Sequence, residues 1–282
     1  MRLRAAPDGG EAQHRHACHL TCESDSLRRL SAQAVGTLGM DMQFSAAARE
    51  AHPNLDLDAF EDLLLRVEAQ FELEITRRDE ELATELCFLA RGLLQSCLRR
   101  NWELAAALIY SLNLGLTVPL MLNARAILEA ACLARDLIRR LERLAVEPTE
   151  QAMSAFADHL MNTTYGCRAA GFIGDPELYP MPNVLTLIDH SSEGNLVVLR
   201  EFYDLLSEFA HPNHLGLHGL FISYTDELDV IRFPQGSRAM DSICAEAALA
   251  SATLGLQFTL LSWLAVDSLE RQLTAAIDVL YE

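Results

Sequence analysis

From Leu104 to Leu122, and again from Ala247 to Val266, the chain runs for about 19 and 20 residues without a charged side chain. A stretch of that length can cross a bilayer, whose hydrocarbon core takes about 20 apolar residues of helix. It can equally form a core helix that is apolar all round because protein surrounds it. The first run contains Ser111, Asn113, Gly115, Thr117 and Pro119, and the second Ser251, Thr253, Gln257, Thr259 and Ser262. These groups dilute insertion energy, so the expectation is central helices of a folded protein, with membrane insertion disfavoured.

The chain of 282 residues is 50% hydrophobic, enough to bury one large core or two modest ones. Its formal charge of -18 sets up a field that repels phosphate, which works against general binding of nucleic acid or anionic membranes. RNA or a nucleotide could be held only in a local basic pocket. All 22 basic residues are arginine, which excludes a lysine Schiff base and a Walker-type phosphate loop. The 7 cysteines are odd in number and scattered through apolar segments, so they are expected to be small buried hydrophobes of a reducing compartment. The opening MRLRAAPDGGEAQHRH lacks the apolar stretch of a secretory signal, and a cytoplasmic location is expected.

Residues 1–50 are polar and without sustained periodicity, and are expected to be a disordered tail, with Met40 or Met42 as an alternative start. Its HRHACHLTC segment offers His14, His16, Cys18, His19 and Cys22, but no second ligand pair follows and no metal is assigned. Residues 51–282 read as a single helical domain. Asn54 is expected to cap a helix, or two in tandem, reaching about Leu98. A second should run from Asn101 to about Ala145, broken or kinked at Pro119. A third should open at Pro148 and Thr149 and reach about Arg168. Residues 171–182, GFIGDPELYPMP, form a loop, and helices resume over 182–190 and 195–210. The segment FISYTDELDVIRF, 221–233, has β-branched and aromatic residues on both sides of Asp226 and Glu227 and is expected to form a small hairpin. Helix returns from about Ser237. The fold class is mainly α, a helical bundle with a small β-hairpin near 221–233.

Between Glu103 and Arg135 only Arg125 and Glu129 carry charge. Four residues apart, they share a helix face. Leu120, Ala124, Ile127 and Ala131 make one apolar stripe, while Leu122, Leu133 and Leu137 point elsewhere, so the pair should be largely desolvated inside the protein.

Over residues 199–219, LREFYDLLSEFAHPNHLGLHG, a second polar stripe follows. At 100° per residue Val198, Phe202, Leu205 and Phe209 form a core-facing arc, and Arg200, Tyr203, Ser207 and His211 lie nearly opposite. Pro212 forces His211 out of helical backbone, so the helix should end there, with Asn213 capping or turning the chain. The spacing of His211, His214 and His218 would suit three metal ligands on one continuous helix, but Pro212, Gly216 and Gly219 interrupt it, and no metal site is assigned. His211 is the candidate acid or base, because an imidazole near a carboxylate titrates close to neutrality. Arg125 and Glu129 are its candidate catalytic partners, and Tyr203, Ser207, Asn213 and Arg200 are candidate binding residues. No GxSxG or GxGxxG segment is present, and no cofactor is implied.

The ARAILEAACLARDL segment with Arg125 and Glu129, followed by FYDLLSEFAHPN with Tyr203, Ser207 and His211, resembles a group of bacterial all-helical proteins distantly similar to the HEPN superfamily. The resemblance covers roughly residues 80–220. It implies a helical domain that binds RNA or nucleotides, and in its ribonucleases an arginine four to six residues before a histidine near a helix end, usually in dimers. Asp204, Leu205, Leu206 and Ser207 precede His211 here, so only His211 maps onto that motif. Arg125 could supply the cation from another helix.

Three functions are therefore expected in order. The first is a non-enzymatic scaffold or partner-binding protein of a defence or toxin-antitoxin system, its unknown partner being another protein or a second copy in a homodimer. The second is a HEPN-like RNA- or nucleotide-binding protein or ribonuclease using Arg125 and His211. The third is a membrane-associated helical protein built on the two uncharged runs.

Overall fold

Gly115 sits at φ +65°, a left-handed backbone that a residue without Cβ adopts at no steric cost. It folds the first uncharged run back on itself, because residues 104–113 end one helix and residues 117–122 begin the next. That run is a helical hairpin and cannot cross a bilayer as one rod.

The computed structural model describes residues 42–77, 82–166, 179–180, 182–192, 198–224, 231–232 and 239–281. In chain order its helices are α1 (Ala46–Ala51), α2 (Leu57–Glu68), α3 (Leu82–Asn113), α4 (Thr117–Val146), α5 (Glu150–Tyr165), α6 (Val184–Ser191), α7 (Val198–Ala210) and α8 (Ala239–Tyr281), with a π-helical turn at His214–Gly219 between α7 and α8. The histidines and cysteines at positions 14–22, to which no metal is assigned, lie outside the described residues.

Capping accounts for several boundaries. Ser45 Oγ accepts from Ala48 N at 3.1 Å, and Thr149 Oγ1 from Ala152 N at 3.2 Å. Asp56, rather than the expected Asn54, caps α2 by accepting from Ala59 N at 3.1 Å. The break expected at Pro119 comes at residues 114–116, just before that proline. It occupies the first turn of α4, where a missing N–H leaves no intrahelical bond unmade. The break expected near Asn101 is absent because α3 runs through that residue to Asn113.

Phe44 and Ala48 fall within the segment expected as tail, yet both are buried. Phe44 packs on Phe60 with ring centroids 6.0 Å apart, and Ser45 N donates to Asn113 Oδ1 at 2.8 Å. The ordered protein therefore begins before residue 50.

Three long helices make the centre. α4 packs most extensively on α8 and then on α3, while α2 lies against α3 and α8, and α6 and α7 lie against α4. Polar ties fix how these helices run. Arg91 on α3 bonds Glu270 on α8 at 2.8 Å, and the buried Asn101 donates from Nδ2 to Thr259 Oγ1 at 2.8 Å. α3 is thus antiparallel to α8. Since α3 and α4 form a hairpin, α4 runs parallel to α8, and Thr117 Oγ1 meets Asp241 Oδ1 at 2.7 Å where the two helices start. At Gly255 a Cβ would lie 2.7 Å from Ile127 Cγ2, so the missing side chain permits the close approach of α8 to α4.

Two expectations are corrected. Within 221–233 the only pairing among the described residues sets Ser223 opposite Arg232 and Tyr224 opposite Ile231. Two residues per strand fall short of the hairpin expected over the whole segment, and Phe221 belongs to a helical turn, so the architecture is mainly helical, with no larger sheet among the described residues. Nor is α8 surrounded on all sides, since Leu261 and Leu264 are 62% and 53% exposed. α4 and α8 are each long and apolar enough to cross a membrane, and 56% of each qualifying window is buried in protein.

Candidate functional site

α4 and α7 bring together three of the residues singled out by the sequence. Arg125 Nε donates to Glu129 Oε1 at 3.0 Å, one turn along α4. Its Nη2 donates to the Tyr203 hydroxyl on α7 at 2.9 Å, and its Cζ lies 4.9 Å from the centre of the same ring. The Arg125 and Glu129 side chains are 23% and 27% exposed, so water reaches their edges and the pair is less desolvated than its apolar surroundings in sequence suggested.

Tyr203 reaches Arg125 because α7 is rotated relative to the periodicity argument. The buried residues are Leu199, Tyr203, Leu206 and Phe209, whereas Val198 is exposed and Phe202 and Leu205 are half-buried. Three of the four core positions move on by one residue, about 100° of helix rotation. The sequence contains both apolar arcs, and the one that wins supplies the Tyr203 hydroxyl with a partner as its ring is buried.

The rest of the polar stripe does not join this cluster. Ser207 Oγ donates to Tyr203 O at 2.7 Å, a local bond within the helix. Arg200 binds Asp204 through Nε at 2.9 Å and Asp189 through Nη1 at 2.7 Å, tying α7 to α6 at the surface. His211 lies eight residues beyond Tyr203, about 12 Å along the helix, and its side chain is exposed. Asn213 accepts from Gly216 N through Oδ1 at 2.9 Å and donates from Nδ2 to Glu208 Oε2 at 2.6 Å, so it caps the π-helical turn. That turn places Gly216 where a Cβ would lie 2.0 Å from His211 O. Among the described residues, no three His, Cys, Asp or Glu side chains converge to hold a metal.

Two further polar clusters escaped the sequence reading. Arg91 Nη2 binds Asp267 as well as Glu270. It lines a void of about 190 Å³ together with Glu72, Glu74, Arg77, Phe88 and Glu270. On α4 the buried Asp136 accepts from Arg140 Nε at 2.7 Å, and His159 Nε2 on α5 lies 3.4 Å from the same oxygen without a hydrogen bond. Burial, and then Arg140, push the His159 imidazole below its ordinary value, with Asp136 opposing them. The partners in these clusters lie on different helices, and only the Asp136 and Arg140 spacing leaves a mark in the sequence.

No nucleophile is activated at any of these places. Burial pushes the Cys87 thiol up to about 12, and the Cys97 and Cys132 thiols up to about 11, which leaves them protonated and inert at neutral pH. Ser207 Oγ is engaged by the Tyr203 carbonyl, and no hydrogen bond joins it to a base among the described residues. The cluster of Arg125, Glu129 and Tyr203 is a brace that fixes α7 on α4.

Fold and brace define the class, a mainly helical protein organised around three long helices. Comparison with protein-family models, with curated proteins and with solved structures finds no match.

Proposed function

We propose that this chain is a non-enzymatic helical scaffold that acts by holding a protein partner, as components of defence or toxin-antitoxin systems do. The observation that carries this reading is the use of Arg125, whose Nε and Nη2 are both taken by Glu129 and Tyr203 while His211 stands apart at the end of α7. A ribonuclease reading needs the cation and the imidazole together around a phosphate, and Glu129 adds negative charge where phosphate would lie.

The test is direct. Purified full-length protein, incubated with RNA oligonucleotides of mixed sequence and with nucleoside triphosphates, should neither cleave nor bind them. Arg125→Ala should lower the melting temperature, and His211→Ala should leave it nearly unchanged. Cleavage that disappears in His211→Ala would overturn the scaffold reading in favour of the HEPN-like one.

A further inference from the structure

Between α4 and α8 lies a groove of about 350 Å³ that combines cations with apolar walls. Arg135 and Arg139 of α4 line it against the carboxylate of Glu142, which leaves it locally positive on a chain of formal charge -18. Arg135 lies 4.9 Å from the centre of the Phe258 ring, within cation–π reach. Its Nε is buried and meets no acceptor among the described residues, an arrangement that costs free energy until a partner arrives. Burial, and then Arg139 one turn on, push its pKa below the ordinary value, and Glu142 offsets only part of that. An anion at this place supplies both the acceptor and the counter-charge that Arg135 lacks.

A second polar group at the groove is also unpaired. Ser262 of α8 is 6% exposed and lines the same space. A buried hydroxyl on a helix ordinarily returns to the carbonyl one turn back, as Thr259 Oγ1 does to Gly255 O at 2.8 Å on the same helix. No such bond engages Ser262 among the described residues. Two donors from two helices thus border one groove without acceptors, and the wall beside them is apolar, formed by Phe258, Ile138 and the exposed Leu261.

We infer that this groove binds a small monoanion with an apolar body, an aliphatic or aromatic carboxylate, its head at Arg135 and Ser262 and its body along Phe258, Ile138 and Leu261. Charge chooses among anions. The field of the whole protein repels each one in proportion to its own charge, so a multiply charged phosphate or a nucleic acid is disfavoured more than a carboxylate. Glu142 acts in the same sense from the edge of the groove. A carboxylate also matches a guanidinium through two parallel hydrogen bonds. The apolar wall gains nothing from a bare inorganic ion, whereas an alkyl or aryl body takes its exposed area out of water. The volume suits one small molecule, at the lower end of the roughly 300 to 1,000 Å³ of ligand sites.

The site does not depend on the partner-binding reading, and RNA cleavage would overturn that reading while leaving the site standing. Titration calorimetry of the full chain with decanoate, kept below the concentration at which it forms micelles, should show saturable binding of a single molecule per chain. Decanol, which carries the same tail without the charge, should bind at least about tenfold more weakly. Arg135→Gln should weaken decanoate binding by roughly tenfold or more without lowering the melting temperature, because it removes a cation that has no acceptor. Ser262→Ala should weaken binding by about fivefold, the worth of one hydrogen bond. Leu261→Glu, at an exposed position, should keep the circular dichroism of wild type and weaken binding about as much as Arg135→Gln by bringing a second carboxylate to the groove. Absence of saturable binding overturns the inference, as does decanol binding as tightly as decanoate, or affinity unchanged in both Arg135→Gln and Leu261→Glu. Inorganic phosphate or adenosine monophosphate binding more tightly than decanoate overturns the class of ligand. So does a chain that ignores decanoate and floats with phosphatidylcholine and phosphatidylglycerol vesicles unless Leu261 is replaced, an outcome that assigns the groove to a membrane surface.

Discussion

The Tyr203 hydroxyl accepts a hydrogen bond from Arg125 Nη2 at 2.9 Å while the guanidinium carbon lies 4.9 Å from the centre of the same ring. One side chain of α7 thus meets one cation of α4 with both its polar tip and its aromatic body. With Glu129 completing the set, the contact fixes the rotation of α7 as well as its position.

Removing only the hydroxyl should therefore cost less than removing the cation. Tyr203→Phe keeps the ring contact and forfeits one partly exposed charge-assisted bond, a loss of about 1 kcal/mol. Arg125→Ala should cost about 1 to 2 kcal/mol, below the range for a fully buried pair because water can reach Glu129. Urea denaturation of both single variants and the double variant would show a coupling of at least about 0.5 kcal/mol. Additive losses would mean that the contact adds nothing beyond packing.

Arg91 is the more consequential arginine for stability. Its side chain is 11% exposed and that of Glu270 is 9% exposed, so both are largely withdrawn from bulk water although they line the void. Arg91→Met should destabilise by about 3 kcal/mol by leaving carboxylate charge in a buried setting. Combining it with Glu270→Leu should recover much of that loss. Chemical denaturation decides the matter, and a double variant no more stable than the single one would count against charge burial as the cause.

Gly216 is required for room rather than for backbone freedom. A Cβ there meets the His211 carbonyl at 2.0 Å and the Phe209 carbonyl at 3.0 Å, and both are main-chain atoms that cannot step aside cheaply. Gly216→Ala should cost about 1 to 3 kcal/mol. Hydrogen exchange should quicken at the end of α7 and in the turn after it before the three central helices respond.

The His159 shift gives stability a pH dependence of definite sign. In the folded protein the imidazole is held neutral at pH values where the unfolded chain, with its ordinary value of 6.5, already binds a proton. The stability contributed by this group is therefore complete above the ordinary value and is lost as the pH falls through it towards the lower folded value. Thermal melts between about pH 7.5 and 5.5 should show a steeper decline for wild type than for His159→Gln. Parallel curves would show that the imidazole is not held neutral by the fold.

Helices were legible wherever apolar spacing and caps coincided, as at Thr149, and the significance of Arg125 and Glu129 followed from their isolation in an uncharged stretch. What could not be read there was direction. α7 offers two apolar arcs one residue apart, and the one that is buried, with Tyr203 against Arg125, depends on groups across the interface that the helix's own sequence does not contain. The Arg91 tie to Asp267 and Glu270 joins residues far apart in the chain, and no local pattern marks it. The first uncharged run illustrates the same limit, since a hydropathy window cannot see the hairpin made by Gly115. His211 was conspicuous because histidines cluster near it in sequence, yet the helix carries it away from Arg125 and Glu129, the pair it was expected to join.

The polar ties along α8 have a consequence for how unique the packing can be. Helices rich in alanine and leucine present nearly repeating surfaces, and one sliding past another by a turn, about 5.4 Å, can regain much of the same apolar contact. Asp241, Thr259 and Glu270 each bond a polar group on a neighbouring helix, and a slide of one turn would pull all three of these bonds apart at once. Together they act as registration pins, separating the native alignment from slipped alternatives that greasy contact alone would rank almost equally.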